Sequence, residues 1–270
     1  MKEARDRVVL VTGASSGIGA CCAAYLSERG YRVYGASRSA TAAPGVVPLA
    51  IDVTNDASVS QAIATILARE GRLDVLVNNA GFGIAGAVED TSTEEAVAQF
   101  EVNFFGAFRV CRAALPVLRR QGAGYIVNIG SIGGLVAIPY QGLYSASKFA
   151  LEGLSESLRL EVRPFGIHVV LIEPGDHHTS FTQNRRAAKE SADSSVYRDR
   201  FERAVARMAS DEQSGPAPDG IARLLCKVIS HPNPRLRYTA GPAAQRTAAW
   251  LKRLLPNAVL EKIVHNYYVR

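Results

Sequence analysis

The chain has 270 residues, 47% of them hydrophobic, which is enough to bury one sizeable α/β core. Its net charge of +6 is uneven: from Arg185 onward there are 16 basic and 8 acidic residues, a net of +8. Those charges are interleaved with acids and apolar residues, as in Phe201-Glu202-Arg203-Ala204-Val205-Ala206-Arg207, the pattern of a solvated helix face, which argues against a nucleic-acid partner.

The charged opening, Met1-Lys2-Glu3-Ala4-Arg5-Asp6-Arg7, runs straight into Val8 and lacks the apolar region of a secretory signal. No run of about eighteen apolar residues is present that would span a bilayer. Cys21, Cys22, Cys111 and Cys226 show neither CxxC spacing nor histidines at metal-site distances. A soluble cytoplasmic protein with reduced thiols and no metal is expected. With no repeat and no Pro- or Ser-rich linker, residues 1–270 are expected to form a single domain.

Val8-Val9-Leu10-Val11 is a short apolar run ending at Thr12-Gly13, which predicts a buried strand. Ile18 to Arg29 predicts a helix stopped by Gly30. Strands are expected over Tyr31–Ala36 and Val46–Ile51. A helix is expected over Asn55–Arg69, capped by Asn55, with Val59, Ile63, Ile66 and Leu67 on one face. Leu73–Val77 predicts another strand, and about Thr93 to Arg120 a long helix bent at Pro116. Strand Tyr125–Ile129, helix Tyr144–Arg163 and strand Ile167–Ile172 follow. Wholly apolar strands alternating with amphipathic helices predict a doubly wound parallel α/β sheet with helices on both faces. Such sheets bind ligands at the carboxyl ends of their strands, where the strand order reverses.

After the first predicted strand comes Gly13-Ala14-Ser15-Ser16-Gly17-Ile18-Gly19. Gly13 permits a tight turn, Gly17 lets backbone approach a diphosphate, and Gly19 allows close helix–strand packing. The following helix N-terminus would favour the anion, although such a turn also serves as a plain structural bend. Ser37-Arg38 stands at the end of the second strand, where an acidic residue would select NAD. The guanidinium pairs instead with a 2′-phosphate, so NADP is expected. Asp52-Val53 suits an adenine, the carboxylate accepting from its amine, but Asp52 is equally suited to cap the next helix. Asn79, Ala80 and Gly81 follow the fourth strand, either shaping a close backbone approach to the cofactor ribose or forming a turn.

Tyr144 and Lys148, four apart on a predicted helix, share one face. A phenol of pKa about 10 needs about 4 kcal/mol of differential stabilisation to titrate near neutrality. An ammonium about 4 Å away at an effective dielectric near 20 supplies a contribution of about that size. Ser131, just after the fifth strand, is placed to bond a substrate oxygen where charge develops. Asn103, polar in an apolar helical stretch, needs a partner: either a structured water leading to Lys148 or local backbone at a kink. Glu173-Pro174-Gly175 with Thr179 either places backbone and a hydroxyl against a nicotinamide carboxamide or simply ends the strand.

Together, Thr12-Gly13-xxx-Gly17-Ile18-Gly19, Asn78-Asn79-Ala80-Gly81, Asn103, Ser131, Tyr144-xxx-Lys148 and Pro174-Gly175-xxx-Thr179 resemble the short-chain dehydrogenase/reductase family over about residues 7 to 180. The resemblance implies a Rossmann-like fold, NADP(H) as cofactor, and a tetrad. In it Asn103 holds a proton-relay water, Ser131 orients the substrate oxygen, Tyr144 is the acid/base, and Lys148 lowers the phenol pKa and binds the nicotinamide ribose. Gly13, Ser15, Ser16, Ile18, Arg38, Asp52, Val53, Asn79 and Thr179 are implied to line the cofactor. The Tyr-xxx-Lys spacing argues against the family's enoyl reductases. A homodimer or homotetramer is expected, paired through the two long helices.

The last third departs from the commonest family pattern. About residues 176–215 are expected to form a substrate lid. About 241–270, including Trp250-Leu251-Lys252-Arg253-Leu254-Leu255, form a helical extension that packs on the lid or core or touches a membrane surface. This resembles the hydroxysteroid and retinol dehydrogenase branch, whose substrates are lipophilic. The expected activity is hydride transfer between NADP(H) and a lipophilic ketone or secondary alcohol. A reductase of ketoacyl or polyketide intermediates and a non-catalytic NADP-binding regulator are the alternatives. His177-His178 suits a pocket wall better than a metal, because adjacent side chains diverge.

Overall fold

The computed structural model describes residues 7–193, 196–252 and 254–269. The charged opening Met1–Asp6 and Arg253 of the C-terminal extension lie outside them. Strands β1 (Val8–Thr12), β2 (Arg32–Ser37), β3 (Val47–Ala50), β4 (Val75–Asn78), β5 (Gly124–Ile129), β6 (Ile167–Pro174) and β7 (Arg237–Ala240) form one sheet in the order β3-β2-β1-β4-β5-β6-β7. Every pairing is parallel. The order reverses between β1 and β4, the doubly wound arrangement expected from the alternating elements.

Alternation along each strand divides the core. Leu10, Tyr34, Leu76 and Ile126 pack on one face beneath α2 (Asp56–Glu70), α4 (Ala107–Gln121) and α5 (Gly142–Val162), through Ile63, Ile66, Val110, Leu118 and Leu158. Val9, Val11, Val75, Val77 and Val127 face the other way, beneath Leu26 of α1 (Gly17–Glu28) and Leu225, Val228 and Ile229 of α7 (Asp219–Ser230). With both faces covered, the strands are apolar throughout, which is why they read as continuous runs.

Asn55 caps α2 as expected, its side chain accepting from Ser58 N at 2.9 Å. Gly30, just past α1, adopts φ +85°. The long helix expected from Thr93 to Arg120 differs. It starts as α3 (Thr93–Phe100), behind a capping box of Ser92 and Glu95, and resumes as α4. The break between them is not at Pro116, which α4 carries inside it, but in a π-helical segment, Glu101–Gly106. This wider turn carries Asn103 to the backbone of Phe82 and brings Gly106 against Val53, where a Cβ would stand 2.8 Å from Val53 Cγ2.

After β6 the chain forms a short helical turn at Phe181–Asn184, then pairs Arg186–Ala187 with Ile84–Ala85 in a two-stranded parallel ladder. Helix α6 (Arg198–Ser214) follows. Beyond β7, α8 (Ala243–Leu251) and α9 (Asn257–Tyr268) come back over the sheet's carboxyl edge. Tyr267 of α9 donates to Asp211 Oδ2 of α6 and accepts from Arg207, each at 2.8 Å.

Edge strand β7 is tied in by charge. Arg237 Nε lies 2.8 Å from Glu152 Oε2 of α5 and 3.4 Å from Glu173 Oε1 of β6, and its other nitrogen pairs with Glu156. Glu173 is 1% exposed and Glu152 6%, so removing the cation leaves two buried carboxylates facing each other. Arg237→Leu is expected to lower stability by about 2–3 kcal/mol, read as an earlier urea midpoint at neutral pH. An unchanged midpoint would show that the cluster contributes nothing.

Candidate active site

A cavity of about 1420 Å³ opens at the carboxyl ends of the strands, across the point where the strand order reverses. The loops after β1, β2, β3, β4, β5 and β6 all reach it.

The glycine turn forms its base. Gly13 and Gly17 adopt φ +65° and +56°, conformations that L side chains rarely take. Asn79 holds the turn from behind: its Nδ2 donates to Thr12 O at 3.0 Å and Gly13 O at 3.1 Å. In return, Thr12 Oγ1 accepts from the N–H groups of Asn79 and Ala80 at 3.0 and 3.1 Å. A Cβ on Gly19 would overlap Asn79 Nδ2 and the Gly13 carbonyl. Gly13, Ser15, Ser16, Gly17 and Ile18 line the cavity, whereas Gly19 lies behind the turn as a packing residue. Ser16 makes no side-chain cap at the start of α1, so its hydroxyl does not occupy the helix's first amides.

Ser37 and Arg38 reach the cavity from β2, and Asp52 and Val53 from β3. Ser37 is buried and its hydroxyl accepts from Thr41 N at 3.3 Å; Arg38 is exposed. Asp52 does not cap α2. Its Oδ1 accepts from Thr54 N at 3.0 Å and Thr54 Oγ1 at 2.7 Å. Those bonds, helped by the field of Arg38, hold its carboxyl below the ordinary range and keep it ionised. Asn79, Ala80 and Gly81 border the cavity beyond β4; Pro174, Gly175 and Thr179 border it beyond β6. Thr179 stands over the glycine turn, where a Cβ on Gly17 would meet it at 3.5 Å.

Ser131, Tyr144 and Lys148 line the same cavity. Ser131 is extended at the end of β5 and its hydroxyl accepts from Gly133 N at 3.0 Å, turning a short 3-10 helix toward α5. Tyr144 is buried, hydrogen-bonded to Ser131, with its ring centre 5.6 Å from that of Phe181. Lys148 Nζ donates to Ile129 O at 2.9 Å and lies 6.0 Å from the centre of the Tyr144 ring.

The electrostatics differ from the simple lysine argument. Burial pushes the Tyr144 phenol up to about 12; the Ser131 hydrogen bond opposes it, and the charges of Glu212 and Asp176 add to it. Burial pulls Lys148 down to about 8, against the field of Glu152. Desolvation outweighs the attraction expected at about 4 Å, because the ammonium is spent on a carbonyl and stands off the ring.

Asn103 is 1% exposed and does not line the cavity. Its Oδ1 accepts from Phe82 N at 3.0 Å, and its amide donates to Phe82 O at 3.0 Å and Ser147 Oγ at 3.2 Å. Both amide hydrogens are thus committed to backbone and to Ser147.

His177 is a buried cavity-wall residue whose Nδ1 lies 3.0 Å from Gly175 O. Among the described residues no group of three or more His, Cys, Asp or Glu side chains is arranged to hold a metal, and no helix is long and apolar enough to cross a membrane.

Motif reading did not single out Thr12 as the lock on the turn, although its hydroxyl directly precedes Gly13. Nor did it find Asp176, Arg185, Glu212 or Gln245, which line the far end of the cavity. These come from distant segments, and no local spacing marks them.

A family model described as short chain dehydrogenase matches residues 7–190. The chain belongs to the short-chain dehydrogenase/reductase family. Among its relatives, a 3-ketodihydrosphingosine reductase of Bacteroides thetaiotaomicron is 44% identical over 265 residues, covering 98% of each chain. Human 17-beta-hydroxysteroid dehydrogenase type 1 is 35% identical over 252 residues, covering 86% of this chain and 76% of that one. The crystal structure of a short-chain dehydrogenase from Streptomyces avermitilis superposes with a TM-score of 0.83 at 33% identity, covering 96% of both. The chain is thus an oxidoreductase of a family that uses a nicotinamide dinucleotide. The site fits such a group: side-chain-free Gly17, α1 amides not capped by Ser16, and an ionised carboxylate at Asp52 border one cavity.

In the purified protein without added nucleotide, Tyr144 is expected to stay protonated through pH 10 and Lys148 to lose its proton near pH 8, about two and a half units below its ordinary 10.5. Carbon-13 NMR of labelled tyrosine and lysine checks both. A Tyr144 signal titrating near 7 would show that the lysine alone acidifies the phenol.

Proposed function

We propose that the protein is an NADPH-dependent reductase of a lipophilic ketone, with Tyr144 as proton donor. The observation carrying this reading is the convergence of Ser131, Tyr144 and Lys148 on the cavity that the glycine turn opens. A phenol pushed up to about 12 is fully protonated at neutral pH, which suits it to give a proton to a carbonyl oxygen as the carbonyl is reduced. The bound nucleotide supplies the hydride. Ser131 holds the carbonyl oxygen, and Tyr144 Oη transfers its proton to it as the alcohol forms. Lys148, largely protonated at pH 7, stabilises the phenolate left behind and binds ribose. Asn103 acts as a positioning residue: its bond to Ser147 orients the turn of α5 that carries Tyr144 and Lys148.

Ser15, Ser16, Gly17 and Ile18 are proposed to hold the diphosphate, Asp52 and Val53 the adenine, and Thr179 with Pro174-Gly175 the carboxamide. Arg38 is proposed to pair with the 2′-phosphate. It is exposed beside the cavity, and no hydrogen bond or ion pair of the described residues engages it.

The substrate reading rests on two supports. Phe181, Met208, Ile263 and Val264 supply apolar wall where the C-terminal helices close the cavity. The similarity to a 3-ketodihydrosphingosine reductase over 98% of both chains favours a long-chain ketone over a rigid polycyclic one. Exposed Phe105 in the π-helical segment, Phe108 on α4 and Phe149 on α5 support a homo-oligomer paired there.

Tyr144→Phe is expected to keep NADPH affinity within about twofold and to lower kcat by about 10²–10⁴-fold on long-chain ketones. Turnover preserved in that variant would remove Tyr144 from the chemistry. Arg38→Asp is expected to weaken NADPH binding at least about tenfold while sparing NADH, measured by fluorescence titration. Equal NADPH affinity would place the phosphate contact elsewhere.

A further inference from the structure

Ketone reduction by itself does not account for the polar group at the far end of the cavity. Asp176 follows Pro174-Gly175 directly and lines the same cavity as Tyr144, whose phenol feels its charge. Gln245 of α8 clamps it: Asp176 N donates to Gln245 Oε1 at 2.9 Å, and Asp176 Oδ2 accepts from Gln245 Nε2. Gly175 makes the clamp possible, since a Cβ there would overlap Gln245 Oε1.

The charges around it do not cancel. Glu212 is already paired with Arg185 and also accepts from Thr182 Oγ1 at 2.6 Å. Arg185 therefore offers Asp176 only a distant field, and no ion pair of the described residues reaches Asp176. Burial lifts the Asp176 carboxyl to about 6, so at neutral pH it is still mostly ionised and lacks a cation. Arg185, whose side chain is only 4% exposed, also borders the cavity, with its guanidinium committed to Glu212. One end of the cavity thus presents an uncompensated carboxylate, in a wall that also carries apolar Phe181 and Met208.

We infer that Asp176 forms a headgroup subsite that selects a ketone carrying a protonated amino group close to the carbonyl. The ammonium bonds Asp176, and the alkyl tail follows the apolar wall. This rests on the ketone-reductase reading above. A neutral ketone leaves the carboxylate desolvated and unpaired, so discrimination comes from the polar group the site would strand as much as from the bond it gains.

The test compares a long-chain 2-amino-1-hydroxy-3-ketone with the same ketone lacking the amino group, following NADPH consumption by the wild type and by Asp176→Asn. The ratio of kcat/KM values, amino over deamino, is expected to fall by about tenfold to a hundredfold in the variant. Turnover of the deamino ketone shows in the same preparation that the variant is folded. Should Asp176→Asn turn over neither ketone, wild-type calorimetry decides: the saturated amino alcohol is expected to bind at least about tenfold more tightly than its deamino counterpart. An unchanged ratio, or equal binding of the two alcohols, overturns the subsite and leaves the reductase reading standing. Reduction of neither ketone by the wild type overturns that reading, and the subsite with it.

Discussion

The whole site depends on how closely two strand ends approach each other. Thr12 and Asn79 exchange hydrogen bonds across the gap between β1 and β4, and the turn they clamp has no room for side chains at Gly13 or Gly19. These are neutral bonds, worth about 1 kcal/mol each, but they act together on backbone that has already been forced into the left-handed region at Gly13. The clamp keeps the turn from collapsing across the reversal in strand order. The cavity exists there because the helices that follow β1 and β4 depart to opposite faces of the sheet.

Burial sets the protonation of Tyr144 and Lys148. A phenol and an ammonium share one low-dielectric wall, and both are pushed toward their neutral forms. The lysine spends its proton on the Ile129 carbonyl, so it is positioned by β5 rather than by the tyrosine. This arrangement holds the phenol protonated and ready to donate. In the proposed chemistry, the reverse reaction would need positive charge near the ring, which an oxidised nicotinamide would supply.

The C-terminal third converts a cofactor-binding sheet into a site with a shaped far end. Gln245 reaches Asp176, Tyr267 bridges to Asp211 and Arg207, and Tyr268 faces the same cavity. Each contact joins residues more than fifty positions apart, so the shape of this end depends on α8 and α9 returning over β6.

Local patterns in the chain were enough to reveal the alternating strands and helices, the glycine turn, and the order Ser131, Tyr144, Lys148, because each rests on periodicity or short spacing and on what single residues can do. The positions of Ser37, Arg38, Asp52 and Val53 followed from the same logic, since a strand's end defines where its ligand lies. What folding alone decided was distance and dielectric. It broke the long helix at a π-turn rather than at Pro116, because Asn103 had a backbone partner in Phe82. It gave Asn103 protein partners in Phe82 and Ser147, and made burial rather than the lysine dominate Tyr144. Asp176, Arg185 and Gln245 carry no mark in the chain, because a charge becomes costly only where the rest of the protein has removed the water around it.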